Sequence, residues 1–506
     1  MVKRAVKTYV ITAAQACAAP NSNFLTGLEY CTEQMNAELK ILPMIGKSAA
    51  EDWVEENFHR RIREHRLEYD KFKINNNVQI EQFNIRPYAI EPLTGLYRFA
   101  QRETTLIFAS PKQHWRPVAH SNKKHPKFLV TTGACTQPNY VTTDSKSAER
   151  RRLGDIARRD HVYGAMIIEV EDEEIFHMRP IRANSEGKFV DLGVMYDGKE
   201  TSESKLEAMV LGDYHMGWTD PQVRNTTLEI IKEMKPERLI LHDFFDGHSV
   251  SHHIEQRYIE YKLIQQADRG HQYLERELKE GTDELLLLSE LMEGRKIYIA
   301  PSNHHEFLHR YLNECRFTKD PPNARFGFIL AGYFAEKDYN NPVEAGYNMV
   351  APKKKLPKNI IFLRRDQDFK VRGYQLGSHG DKGPGLGYAS MNSKENDWGK
   401  SITGHVHKAQ IMRNTYTVGA MLPLSPYYMR GSPTDFSHSH AFLWDNGTVQ
   451  LINIIDGKWR ADPPSEPPVY RVMRKPIEAC PPERLNQTIK ELEEHPTQLP
   501  FSMTDE

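Results

Sequence analysis

From about Glu207 onward the sequence repeats one local pattern: a short apolar, β-rich segment that runs at once into a loop of histidine, aspartate and asparagine. AMVL runs into GDYHMG, RLILH into DFFDGH, KIYIA into PSNHHE, GYQLG into SHGDKG, and SIT into GHVH. Apolar strands that end in clusters of metal-binding side chains are how an α/β sheet gathers ligands along one edge, so this pattern constrains the fold more than any other feature. Farther on, AQIMRN, TYTVGAM, HAFLWD and TVQLINI read as strands, with Asn446-Gly447 at a hairpin turn. Ser251 to Leu291 reads as a helical insertion, and the proline- and charge-rich residues 462–506 read as a peripheral tail.

The chain has 506 residues. Single cores seldom grow past about 250 to 300 residues, so more than one domain is expected. Residues 1–200 read as a separate α/β unit, with strand-like TYVIT, helical FLTGLEYCTEQMNAEL, strand-like TTLIFAS and KFLVTTG, and GAMIIEVEDEEIFHMRPI as a hairpin. No catalytic signature is found in that unit. Residues 205–460 form the second unit. The opening MVKRAVKTYVITAAQACAAP has a basic start and Ala-x-Ala-like sites, but Thr8, Thr12 and Gln15 dilute its apolar stretch, and a buried strand is the better reading. No apolar run approaches the roughly 20 residues that span a bilayer, so no membrane partner is expected. Five cysteines, odd in number and without a C-x-x-C pair, disfavour a disulfide framework and point to a reducing cytoplasm.

Sixty-seven basic and 68 acidic residues leave a formal net charge of -1, so any basic binding surface has to be local. Residues 111–159 hold eleven Lys/Arg and three Asp/Glu, with Arg150, Arg151 and Arg152 in succession. Lys353, Lys354, Lys355 and Lys358 make a second cluster in a Pro-flanked loop. A basic run is ordinarily a solvated face; its sharper reading is contact with a phosphate backbone.

The chemistry lies in five separated motifs: Asp213-x-His215, Asp243-Phe244-Phe245-Asp246, Asn303-His304, His379, and Gly404-His405-Val406-His407. Two residues apart at a strand end, Asp213 and His215 can point the same way. Asp, His and Asn donors without thiolate suit manganese, iron, zinc or magnesium. Two such ions about 3.5 to 4 Å apart can hold a phosphate and an attacking water in line, which is the geometry of phosphoester hydrolysis. Surface loops that contain these residues by chance would have to reproduce both spacing and order. His248, His252, His253 and His309 read as surface or capping residues.

The order of these motifs resembles the calcineurin-like metallophosphoesterase superfamily (D-x-H, G-D-x-x-D, G-N-H-D/E, a lone His, G-H-x-H) over roughly residues 205–455. The resemblance implies a β-sandwich flanked by helices and two divalent metal ions, manganese foremost, with iron, zinc or magnesium as alternatives. One ion would take Asp213, His215, Asp243 and His407. The other would take Asp243, Asn303, His379 and His405, with Asp243 bridging. His304 matches the family's catalytic histidine, and Asp246 a position that orients the machinery. Where the family has glycine before the bridging aspartate and before the asparagine, this chain has His242 and Ser302, and His305 stands where an acidic residue is usual.

The superfamily acts on many phosphoesters, and three features lean toward nucleic acid. A proton-donating His304 helps most with a poor leaving group such as a sugar hydroxyl. The first 200 residues could grip substrate, and the basic stretches could track a backbone. The layout, with a strand such as TYVITAAQ ahead of the phosphoesterase and the HDFFDGHS motif within it, is similar to the pre-early host-DNA-degrading nucleases of large tailed phages. That likeness implies a metal-dependent DNase in an infected bacterial cytoplasm, with homo-oligomerisation open. A small-molecule phosphodiesterase or nucleotidase is the competitor. A catalytically retired scaffold subunit is a further alternative, disfavoured because a scaffold has no need of a full ligand set.

Overall fold

Strand β1 (Lys7–Gln15) is buried along all but its first residue, as its run of Tyr, Val, Ile and Ala requires. Helix α1 (Ser22–Gln34) follows, capped by the Asn21 side chain, which accepts from the Phe24 amide at 3.1 Å. The helix ends earlier than the sequence suggests: Asn36 takes a left-handed φ of 49°, and β2 (Glu38–Met44) begins two residues on. Asparagine tolerates that conformation better than most residues, so it stops a helix that periodicity alone would extend. In this computed structural model the described residues are 7–47, 51–67, 71–100, 104–119, 125–141, 147–252, 270–339, 341–383, 390–426, 429 and 432–461. The expected tail from 462, His253 and much of the expected helical insertion lie outside them.

The chain continues through β3 (Lys71–Lys73), β4 (Val78–Glu81), β5 (Thr105–Phe108), β6 (His114–Val118), β7 (Lys127–Thr131) and α2 (Ala148–Arg159). The expected hairpin is β8 (Gly164–Val170) with β9 (Phe176–Arg182), paired antiparallel from Gly164↔Arg182 to Val170↔Phe176. Strands β10 (Phe189–Asp191), β11 (Val194–Asp197) and β12 (Glu200–Glu203) form a small antiparallel sheet. Strands β2, β1, β8 and β9, in that order, form a four-stranded sheet.

Next come β13 (Leu206–Val210), α3 (Pro221–Met234), β14 (Arg238–Leu241), α4 (Leu274–Leu291), β15 (Lys296–Ile299), α5 (Asn303–Asn313), α6 (Ala324–Glu336), α7 (Pro342–Val350) and β16 (Ile360–Phe362). Then follow β17 (Lys370–Val371), β18 (Tyr374–Gln375), α8 (Met391–Trp398), β19 (Ser401–Thr403), β20 (Gln410–Met412), β21 (Thr415–Thr417), β22 (Ser439–Trp444) and β23 (Val449–Asn453). A six-stranded sheet has the order β16-β15-β14-β13-β22-β23, with β13 to β16 mutually parallel. A ten-stranded sheet has the order β17-β18-β19-β21-β20-β6-β7-β5-β4-β3. Residues on both sides of position 200 therefore meet in one sheet, through the pairs Ile411↔Trp115 and Met412↔His114.

Each central parallel strand is buried on both faces, which is why segments such as RLIL read as unbroken apolar runs. Successive side chains point to opposite faces. Ile240 joins the core between the two large sheets, with Val210, Leu443, Val130, Ile402 and Tyr416. Its neighbours Leu239 and Leu241 join the core on the helix side, with Ile230 of α3, Leu285 of α4, Leu308 of α5 and Val343 of α7. The result is an α/β protein built on two packed sheets with helices over one outer face. Its parallel strands set their C-terminal ends side by side.

Candidate metal centre

At those strand ends the chain leaves regular structure at once. Asp213 follows β13 and is fixed by its backbone: its N–H donates to the Gly419 carbonyl at 3.0 Å and its carbonyl accepts from Met421. His215, two residues on, donates its N–H to the Asp243 carbonyl at 2.8 Å, so the loops after β13 and β14 are tied together. Asp243 follows β14, Asn303 opens α5 after β15, His379 lies after β18, and His405 and His407 follow β19. Four of these residues hold left-handed backbone: His215 (φ 49°), Asp243 (44°), His405 (77°) and His407 (58°). Such conformations are uncommon outside glycine and cluster at sites where the surrounding structure enforces them.

One ligand atom each from Asp213, His215, Asp243 and His407 lies within 4.8 Å of every other. The two Nε2 atoms of His215 and His407 face each other at 3.1 Å. Asp213 Oδ2 is 3.4 Å from His407 Nε2 and accepts from the His405 amide at 2.7 Å. Asp243 Oδ2 lies 3.6 Å from His215 Nε2 and 3.0 Å from His379 Nε2. His405 stands over His379, ring centroids 5.1 Å apart. The structure thus brings Asp213, His215, Asp243, His379, His405 and His407 into one cluster.

Buried polar atoms in and beside the cluster lack hydrogen-bond partners: Asp213 Oδ1, Asp243 Oδ1, Asn303 Oδ1 and His379 Nδ1. An unpaired buried carboxylate oxygen is costly, and a cation is the partner that this donor set suits. Burial pushes the Asp213 carboxyl up to about 7 against the pull of His379. Asp243 behaves otherwise: burial would raise it, but His379 and His304 hold it well below the usual carboxylate range. A side chain at position 404 would put its Cβ 2.0 Å from Asp213 Oδ1, so the glycine before His405 is required by close approach. Buried histidine and aspartate groups here could hold metal ions, and the residues fit such a group.

Behind the cluster, Asp246 organises two imidazoles. Its Oδ1 accepts from His215 Nδ1 at 2.7 Å, which leaves His215 Nε2 facing the cluster. Its backbone carbonyl accepts from His304 Nδ1 at 2.5 Å. A carbonyl can only accept, so Nδ1 carries a hydrogen and Nε2 remains for exchangeable-proton chemistry. Burial would lift the Asp246 carboxyl, but the bonds from His215 and His248 outweigh it and hold it far below its usual range. His215 itself, despite burial, is raised to about 9 by Asp246 and Asp243. The His304 side chain is 21% exposed, against 1% for Asp243 and 3% for His215, so it stands on the open side of the cluster.

Three sequence departures find physical accommodation. Ser302 has extended backbone (φ -132°, ψ 171°), which needs no glycine, and the left-handed residue in the other loop is Asp243 itself, not His242. His305 is buried, and burial lowers its imidazole to about 3, so it sits neutral against Phe245. The expectation that His248 is a surface or capping residue is corrected: it is buried, with Nδ1 3.1 Å from Asp246 Oδ2 and 3.3 Å from Glu277 Oε1. His309 is exposed as expected. Glu277 is a site residue that the sequence does not single out. It comes from α4, 31 residues beyond Asp246, and only folding joins them; the histidine two residues after Asp246 is the readable half of the signal. Arg150 and Arg152 are exposed on α2, and Arg151 is half-buried.

No known family model matches the chain. A curated relative is Protein A1 of Escherichia phage T5, 27% identical over 491 residues, which spans 90% of this chain and 83% of that protein. The chain is similar to a phage protein. A solved structure aligns over 48% of this chain and 98% of its own at 15% identity, with a TM-score of 0.22, too low to bear on the fold. Among the described residues no helix is long and apolar enough to cross a membrane.

Proposed function

We propose that the chain is a phage-type nuclease: a calcineurin-like phosphodiesterase with two divalent metal ions, manganese foremost, that hydrolyses DNA in the infected bacterial cytoplasm. The observation that carries the reading is the convergence of Asp213, His215, Asp243 and His407 within 4.8 Å, beside unpartnered oxygens of Asp213, Asp243 and Asn303. In this reading Asp213, His215, Asp243 and His407 would hold one ion, and Asp243, Asn303, His379 and His405 would hold the other. Bound ions would polarise the phosphate and acidify the attacking water. Similarity along most of its length to a phage protein supports the cellular setting.

The protein's own residues supply the rest. His304, fixed through Nδ1 by the Asp246 carbonyl, presents Nε2 to the leaving oxygen and gives it a proton as the P–O bond breaks. Asp246 holds His215 and His304 in register, and the buried pair His248 and Glu277 holds Asp246. The arginines of α2 would touch phosphates away from the scissile bond.

Incubation of the purified protein with manganese and a panel of plasmid, linear duplex, single-stranded DNA, RNA and nucleotides tests the reading. Cleavage of DNA is the expected result. Brisk hydrolysis of a nucleotide with intact DNA would make the protein a small-molecule phosphodiesterase. Absence of bound metal and of any hydrolysis would make it a scaffold.

A further inference from the structure

A second basic feature stands apart from the metal centre. Strand β16 is an edge of the six-stranded sheet, and along it runs a cleft of about 570 Å³. Its lining carries Lys337, Lys353, Lys354, Lys355 and Lys358 against one carboxylate, Glu344. Other lysines on the surface do have acidic partners, such as Lys279 with Glu275 at 2.7 Å and Lys408 with Asp435 at 2.9 Å. Among the described residues none of the five cleft lysines has a carboxylate within ion-pair distance. Five cations sharing a concavity repel one another unless an anion enters it.

The loop that carries them is held in a definite shape. Lys353 and Lys354 both have left-handed backbone, at φ 56° and 53°. The loop is pinned by the Lys354 amide donating to the Ala351 carbonyl at 2.9 Å and by the Leu356 amide donating to Asn348 Oδ1 at 3.0 Å. Tyr333 and Tyr339 add an aromatic wall, with rings stacked at 5.7 Å and hydroxyls 2.9 Å apart. Cations beside aromatic rings are the pairing that single-stranded nucleic acid selects, phosphates on the one and bases on the other.

Topology separates this cleft from the metals. Asp213, Asp243 and Asn303 follow the C-terminal ends of β13, β14 and β15, whereas Lys355 and Lys358 precede β16, which runs parallel to β15. The lysines therefore approach the sheet from the end opposite the metal loops. A mononucleotide cannot reach both places, but a polymer can.

We infer that the β16 cleft is an exosite for a single strand of DNA, gripping phosphates remote from the cleaved bond. The inference rests on the nuclease reading and narrows its substrate to a polymer. The test uses the full chain in chelator, so that nothing is cut, and a fluorescently labelled thymidine oligonucleotide of about 20 residues followed by anisotropy across a salt series. Replacing Lys353, Lys354, Lys355 and Lys358 with Ser should weaken binding at least tenfold and flatten the slope of log K against log salt by about 0.7 for each phosphate no longer held. Unchanged affinity and slope would overturn the exosite. So would displacement of the oligonucleotide by thymidine monophosphate at comparable affinity, which would make the cleft a nucleotide site. If circular dichroism shows the fourfold variant unfolded, the pair Lys355→Gln and Lys358→Gln must show the same change on a smaller scale, or the inference fails. Hydrolysis of a chromogenic phosphodiester with manganese, measured in parallel, tests the nuclease reading separately: its absence in the parent chain would sink that reading whatever the oligonucleotide does.

Discussion

Asp213, Asp243 and Asn303 each bury a side-chain oxygen that nothing in the protein satisfies, while His304, a few ångströms off, is tied at one nitrogen and open at the other. In the proposed reading that contrast separates the groups that would hold a metal from the one that would handle a proton. His304→Ala should lower turnover by about 10²- to 10⁴-fold with metal content nearly unchanged. Metal loss in step with activity, read by elemental analysis, would make His304 a ligand instead. Residues far from the cluster have their own titration. His161 is half-buried between Tyr140 and the Thr136 carbonyl, and the desolvation of its ring lowers its pKa to about 4. The unfolded chain titrates near 6.5, so between the two values the unfolded state binds the extra proton. Its contribution to stability is complete above about pH 6.5 and is lost as pH falls toward 4. Denaturation midpoints at constant ionic strength should fall from pH 7 to pH 5 in the parent chain, and fall less in His161→Gln. An equal fall in both would remove His161 from the account.

Among the elements, α2 makes the sharpest prediction. Its N-cap is Ser147, and Arg150, Arg151 and Arg152 follow within two turns. Replacing the three with Ser should weaken DNA binding and flatten its salt slope by up to about 0.9 log unit for each duplex phosphate released, with a small chromogenic diester cut as before. Unchanged binding returns the run to a solvated helix face. The same scale shows what a sequence can reveal. Strands β13, β14, β15, β19, β22 and β23 are readable because their buried positions are filled mostly by apolar residues, as in LEAMV, RLIL and SHAFLW. The clustered aspartates and histidines are readable because any site that could hold a metal admits few residue types. Strands such as β3 (KFK) and β12 (ETSE) are not, since their side chains are largely polar and they exist through partners supplied by the rest of the chain. The overrun of α1 past Asn36 has a local cause, a single left-handed residue that periodicity does not register. Glu277 is hidden for a third reason: its neighbour in space is set by the docking of α4.

For the molecule as a whole, a metal held at the unsatisfied centre would tie stability to its presence. Manganese loading should give two ions per chain and raise the melting temperature, since a ligand that binds only the folded state stabilises it in proportion to RT ln(1 + [L]/Kd). One ion or none by elemental analysis would remove the dinuclear assignment. The halves on either side of residue 200 are joined as firmly as the site is. Arg179 donates to Asp191 at 2.6 and 2.8 Å and to Glu169 at 2.6 Å, and the same carboxylates accept from Gln450 at 3.0 Å and the Ala461 amide at 2.9 Å. Residues 205–461 expressed alone should therefore elute as aggregate in size-exclusion chromatography, because removing β6 bares the edge of β20 and the apolar face around Ile411 and Tyr416. A soluble monomeric fragment would contradict this. The pairing of β6 with β20 also bears on inheritance. A unit whose sheet is completed by strands from its own leading segment cannot be passed between genomes as a detachable cassette. Recombination that parts the two would deliver an open-edged half, so the segments should travel and diverge together.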